Sequence, residues 1–231
     1  MIVWNRKDVW IAVFDILGFK ELIRQTDLDF PRALLTDRLE ELIQVLKSGP
    51  VEAGVECVIF SDTLVISASD LKPRSYPWFL RKCKDLITKS IYVELPIRGA
   101  ISVGPIFFST DPTIVIGSAF LEAYEYCEAQ NWIGLLMTPS ATQSLRKIGL
   151  EPLHHDFVSD ELPLRKKSTD EVLAYRFQNG RANFKSALLP HLNQMQRCAP
   201  EKAKPKYQNT VSFIERHYSL IEEGSGPTNV E

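Results

Sequence analysis

The chain has 231 residues, 45% of them hydrophobic and 24% charged. That is the make-up of a globular protein with one large core, alone or with an appendage. A formal net charge of −2 excludes a protein whose main task is to grip nucleic acid through a basic surface, so no nucleic-acid partner is expected.

The first predicted element is a buried strand, Val9 to Ile16, rich in β-branched and aromatic residues and closed by Gly18. FKELIRQ then opens a helix, and Pro31 to Lys47 places leucines and Ile43 at helical spacing until SGP stops it. Val55 to Phe60 and Leu64 to Ser67, joined by SDT, read as a hairpin. A helix from Tyr76 to Ile91 follows, then the strand-like PIRGAISVGPIFF, whose Gly99 and Gly104 signal a bend or a close approach. Gly117 to Ala129 reads as helix, WIGLLM as strand, Pro139 to Lys147 as a short helix, and Leu153–Val158 and Val172–Phe177 as last strands.

These boundaries define residues 1–180 as one domain, 181–223 as a helical extension and 224–231 as a disordered tail. The order strand, helix, helix, strand, strand, helix, strand fits an α+β, ferredoxin-like split βαβ sheet with helices on one face. No run approaches the ~18 uninterrupted apolar residues that span a bilayer. The start, MIVWNRKDVW, lacks the pattern of a signal peptide, so a cytoplasmic chain with no membrane partner is expected. Cys57, Cys83, Cys127 and Cys198 are scattered without metal-ligand spacing, which fits reduced thiols.

VFDILGF carries the chemical question: an apolar strand ends in a carboxylate, Asp15, and turns at a glycine. A buried carboxylate needs a partner. In a split βαβ sheet the first strand and the hairpin are neighbours, so Asp15 and Asp62 can meet at one sheet edge. Two carboxylates that close repel unless a cation lies between them, and hard oxygen ligands favour Mg²⁺ or Mn²⁺. Each Asp also has an ordinary reading, Asp15 as a helix cap and Asp62 as a turn residue.

FDILGF, FSDT and IRGAISVG together resemble the catalytic domain of class III nucleotidyl cyclases, from about Val9 to Tyr175, with Ser61 and Ala100 at two positions where that pattern has glycine. The resemblance implies the βααββαβ class III cyclase fold with a C-terminal helical extension. It implies cyclisation of a nucleoside triphosphate with release of pyrophosphate, two metal ions per site, and a homodimer with active sites at the subunit interface. Asp15, Asp62 and the Ile16 carbonyl would hold metal. The N–H groups of Leu17, Gly18 and Phe19 would meet phosphate, Gly18 permitting the approach. Arg98 and Lys167, with Lys166 next, would bind phosphate; Arg98 also reads as a surface arginine beside Glu94, and the lysines as a solvated turn.

Base readers in this family are polar, but Val58 and Ile114 stand at the matching base-pocket positions. Leu121 and Glu125 stand where the family carries a transition-state Asn and Arg. Apolar readers on a metal-competent frame resemble the pyrimidine cyclases of the Pycsar anti-phage systems. That implies UTP as substrate and cyclic UMP as a messenger to a separate effector protein. Cyclic CMP, a purine product and a decayed nucleotide-binding module stay open as alternatives.

Overall fold

The computed structural model describes residues 5–25, 29–48, 54–110, 113–150, 156–165, 171–177 and 184–222. Its axis is β1 (Asn5–Ile16), extended four residues beyond the expected start. Along β1 the side chains alternate between two buried environments. Trp10, Ala12, Phe14 and Ile16 enter the main core, while Val9, Ile11 and Val13 enter a second cluster on the opposite face. A strand covered on both faces shows an unbroken apolar run, which is why its sequence has no polar alternation.

The sheet order is β2–β3–β1–β4–β6–β8–β7, with β5 pairing β4. The hairpin is β2 (Val55–Phe60) and β3 (Thr63–Ala68), and β4 (Ile97–Thr110) lies on the other side of β1. β5 (Thr113–Ile116) folds back on β4, and β6 (Leu135–Met137), β7 (Phe157–Val158) and β8 (Leu173–Tyr175) complete the sheet. Neighbours are antiparallel except β4 and β6. The helices are α1 (Phe19–Gln25), α2 (Asp29–Lys47), α3 (Tyr76–Tyr92), α4 (Ser118–Ala129), α5 (Pro139–Lys147), α6 (Phe184–Cys198) and α7 (Lys204–Glu222).

The helices do not share one face. α2, α3 and α6 contribute to the main core, whereas α4 sets Ala119 and Ala123 against Val9, Ile11 and Val13. Both of these buried residues are small, so the helix packs close to the sheet, with Phe120 half-buried beside them. Gly99, opposite Phe14 in the β1–β4 ladder, is a close approach: a Cβ there would lie 2.3 Å from the Phe14 ring.

WIGLLM is a strand over its last three residues alone. Trp132 turns into the core against Phe213, with ring centroids 4.7 Å apart. The Ile133 N–H donates to the Thr210 hydroxyl of α7 at 2.8 Å, and the same hydroxyl lies 3.1 Å from the Ile133 carbonyl. Backbone groups paired this way are withdrawn from a sheet ladder. α6 and α7 place Leu188, Leu192, Phe213 and Ile214 in the same core cluster as the sheet. The tail expected to be disordered, 224–231, lies outside the described residues.

Candidate active site

Asp15 is the penultimate residue of β1, with Thr63 of β3 on one side and Arg98 of β4 on the other. Asp62 is the second turn residue between β2 and β3, and its carbonyl accepts the Ile16 N–H at 2.9 Å. That backbone bond ties the hairpin tip to the end of β1 and brings the two carboxylates to one sheet edge. Ser61, the first turn residue, has φ of 58°. Glycine is preferred where a two-residue hairpin needs positive φ, so serine keeps the glycine backbone at a cost of about 1 kcal/mol.

Arg98 is 5% exposed, and each of its three nitrogens donates to a protein acceptor. Its Nε–H donates to Asp15 Oδ2 at 2.9 Å. One terminal nitrogen donates to the carbonyls of Glu128 and Gln130 at 2.9 and 3.0 Å, and the other to the Glu128 carboxylate. The guanidinium therefore joins the end of β1 to the C-terminal end of α4, where carbonyls left over by the helix favour a cation. Gln130 braces the junction by donating to the Gly99 carbonyl at 2.8 Å. Cys127 lies under it, its thiol donating to the Arg98 carbonyl and its pKa pushed up by burial.

Burial raises the Asp15 pKa above its ordinary value; Arg98 opposes that rise, and the charges of Glu128 and Asp62 add to it. Asp15 Oδ1 and the Asp62 carboxylate accept no hydrogen bond among the described residues. Two carboxylates with free oxygens at a partly desolvated edge fit a hard divalent cation. Among the described residues no three His, Cys, Asp or Glu side chains converge as a cage. Mg²⁺ suits such a site, because it takes one or two carboxylates and fills its other positions with water and substrate phosphate.

Beyond Ile16 the chain turns at Gly18, which is exposed and has φ of +76°. The Leu17 N–H donates to the Pro96 carbonyl at 2.9 Å, so of the three N–H groups expected to meet phosphate it is spent within the protein. Phe19 begins α1 and packs against the main core. Val58, on β2, packs beside the cluster under α4. Ile114 lies on β5, in register with Ser109 of β4, a strand the sequence pattern passes over because four residues show no period. Lys166 and Lys167 lie outside the described residues. Leu121 and Glu125 are exposed on α4.

No motif marks Glu128 or Gln130, which lie at the end of an ordinary helix. Nor did it single out Lys206 of α7, whose ammonium lies within electrostatic reach of Asp15, Glu128, Arg98 and Arg165.

No family model and no curated protein matches the sequence. Solved structures do. The adenylyl cyclase CyaB from P. aeruginosa aligns with a TM-score of 0.56 over 78% of this chain and 98% of its own, at 14% identity. The catalytic core of a rhodopsin-guanylyl cyclase with converted specificity, in complex with ATPαS, gives 0.54 over 75% and 97%, at 17% identity. The guanylate cyclase domain of RhGC from Catenaria anguillulae, in complex with GTP, gives 0.53 over 74% and 97%, at 15% identity. The fold is that of a class III cyclase catalytic domain. At such identities the likeness is one of architecture, and the chemistry rests on the residues at the sheet edge.

Proposed function

We propose that the protein is a metal-dependent nucleotidyl cyclase that converts a pyrimidine nucleoside triphosphate, UTP first, to its 3′,5′-cyclic monophosphate and pyrophosphate. The observation that carries this reading is the pair Asp15 and Asp62, brought to one end of the β1–β3 ladder by the Ile16–Asp62 backbone bond and near enough for their charges to interact, on a class III cyclase frame. In the reaction the 3′-oxygen loses its proton, bonds to the α-phosphorus, and pyrophosphate departs with the electrons of the broken P–O bond. Asp15, Asp62 and the Ile16 carbonyl would hold Mg²⁺ or Mn²⁺, which when bound lowers the pKa of the hydroxyl and neutralises the departing phosphates. Arg98 acts through Asp15. With all three of its nitrogens donating to protein acceptors, it fixes the orientation of that carboxylate, a task different from the phosphate contact the resemblance implies.

Val58 supports a pyrimidine. It is an apolar side chain packed on an apolar cluster, and it offers no hydrogen bond to a purine edge. Dimerisation with shared sites is supported by apolar side chains left in water, Phe60 at the hairpin tip and Leu121 and Tyr124 on α4. Among the described residues no helix is long and apolar enough to cross a membrane. A cytoplasmic enzyme whose cyclic product signals phage infection to a separate effector is the setting we infer from the Pycsar resemblance.

A second reading, a decayed nucleotide-binding module, draws on Leu121 and Glu125, neither of which supplies the groups that steady a transition state in the family. Incubation with each of the four NTPs and Mn²⁺, with products resolved by mass, separates the readings. Cyclic UMP is expected. Cyclic CMP or a purine product corrects the base, and binding without any cyclic product establishes the module.

A further inference from the structure

A cleft of about 590 Å³ opens beside Gly18 and is walled on its far side by the last two helices. Four cations line it, Arg38, Arg165, Lys202 and Lys206, against two carboxylates, Glu21 and Glu94. Two of the cations are already spent: Arg38 pairs with Glu94 at 3.3 Å and Lys202 with Glu21 at 2.7 Å. The side chains of Lys206 and Arg165 make no hydrogen bond or ion pair among the described residues.

Lys206 is half-buried, and an ammonium withdrawn from water without a carboxylate in hydrogen-bond contact is costly. Burial, with repulsion from Arg98 and Arg165, outweighs attraction to Asp15 and Glu128 and holds its pKa below the ordinary lysine value. The residue does not sit on a loose tail. One turn further along α7 the Thr210 hydroxyl lies 2.9 Å from the Lys206 carbonyl and accepts the Ile133 N–H. Asn209 donates to the Asn131 carbonyl at 2.8 Å, and Tyr207 is buried in the core. α7 is thus fixed to the segment that follows α4, and it presents a cation to the cleft at a set place.

A positioned, unpaired cation facing a turn with exposed backbone is suited to a polyanion. We propose that Lys206, with Arg165, receives the polyphosphate tail of the nucleoside triphosphate, so that the C-terminal helices complete the substrate site. The identity of the nucleotide rests on the cyclase reading; the anion site does not.

Calorimetric binding of inorganic tripolyphosphate to the full-length protein reads the site without turnover. Wild type should bind it, and Lys206→Gln should bind about tenfold more weakly, the loss of one charge-assisted contact. Lys206→Arg should restore most of the affinity, because the charge returns. With UTP, Lys206→Gln should raise KM and leave kcat nearly unchanged, since the tail is gripped alike in ground and transition states. A folded Lys206→Gln protein with unchanged affinity overturns the proposal, and so does a wild type that fails to bind tripolyphosphate. Turnover of NTP with Lys206→Gln unchanged in both affinity and KM removes the cationic wall and keeps the cyclase. Lys206-dependent tripolyphosphate binding without any cyclic product keeps the wall and removes the cyclase.

Discussion

Arg98 donates to Asp15, to Glu128 and to the two carbonyls at the end of α4, so removing it unties three elements at once. Arg98→Ala should cost about 3 kcal/mol in urea unfolding, the low end for breaking a buried ion pair because Glu128 lies partly in water. Its effect on turnover should fall on kcat, through a misplaced Asp15, with little change in KM. A rise in KM for UTP and CTP alike, at constant kcat, would return Arg98 to direct phosphate binding. Asp15 gives a second expectation. Its folded pKa is raised above the ordinary 3.8, first by burial. The protonated carboxyl therefore favours the fold below pH 3.8, and that stabilisation is lost as pH rises through the folded value. A divalent cation binds the ionised form, so the rise in melting temperature on adding Mn²⁺ should grow with pH across that window and vanish in Asp15→Asn. An Mn²⁺ effect independent of pH, or one that survives in Asp15→Asn, would place the cation elsewhere.

The hairpin is the element that aims Asp62, and its turn holds Ser61 at φ of 58°. Ser61→Gly should stabilise the protein by up to about 1 kcal/mol, the relief of the left-handed penalty less glycine's greater freedom in the unfolded chain. Urea midpoints check this, and a lower midpoint in Ser61→Gly would mean that the serine side chain compensates for its backbone. Much of this edge was legible in the sequence. The run ending in Asp15 announced a buried strand, and SDT announced the turn that carries Asp62. What stayed hidden depended on distant packing. The placement of α4 across the sheet rests on Ala119 and Ala123, and alanines carry no directional signal. Trp132 and Ile133 read as strand because they are apolar and β-prone, yet Thr210, 77 residues away, claims the Ile133 backbone. Arg98 stood out in the strand motif, but its inward orientation depends on Glu128 and Gln130, which no motif marks.

At the scale of the whole molecule, Phe60 at 81% and Leu121 at 55% exposure leave apolar surface at the hairpin tip and on α4. If a partner subunit covers these residues and shares the site, two inactive variants should complement one another. Mixing Asp15→Ala subunits with subunits altered at the base pocket, Val58→Asp, should restore one of the two sites in each heterodimer, and so activity toward half of the wild-type level per dimer. No recovery in verified heterodimers would confine each site to one chain. The most direct test is the rate of cyclic nucleotide formation in Asp62→Ala with saturating Mn²⁺, measured beside its melting temperature. Asp62 is a turn residue whose carboxylate holds no partner within the described protein, so the fold should melt as wild type does while turnover is abolished. A folded Asp62→Ala protein that cyclises at the wild-type rate would contradict the carboxylate pair as the seat of the chemistry.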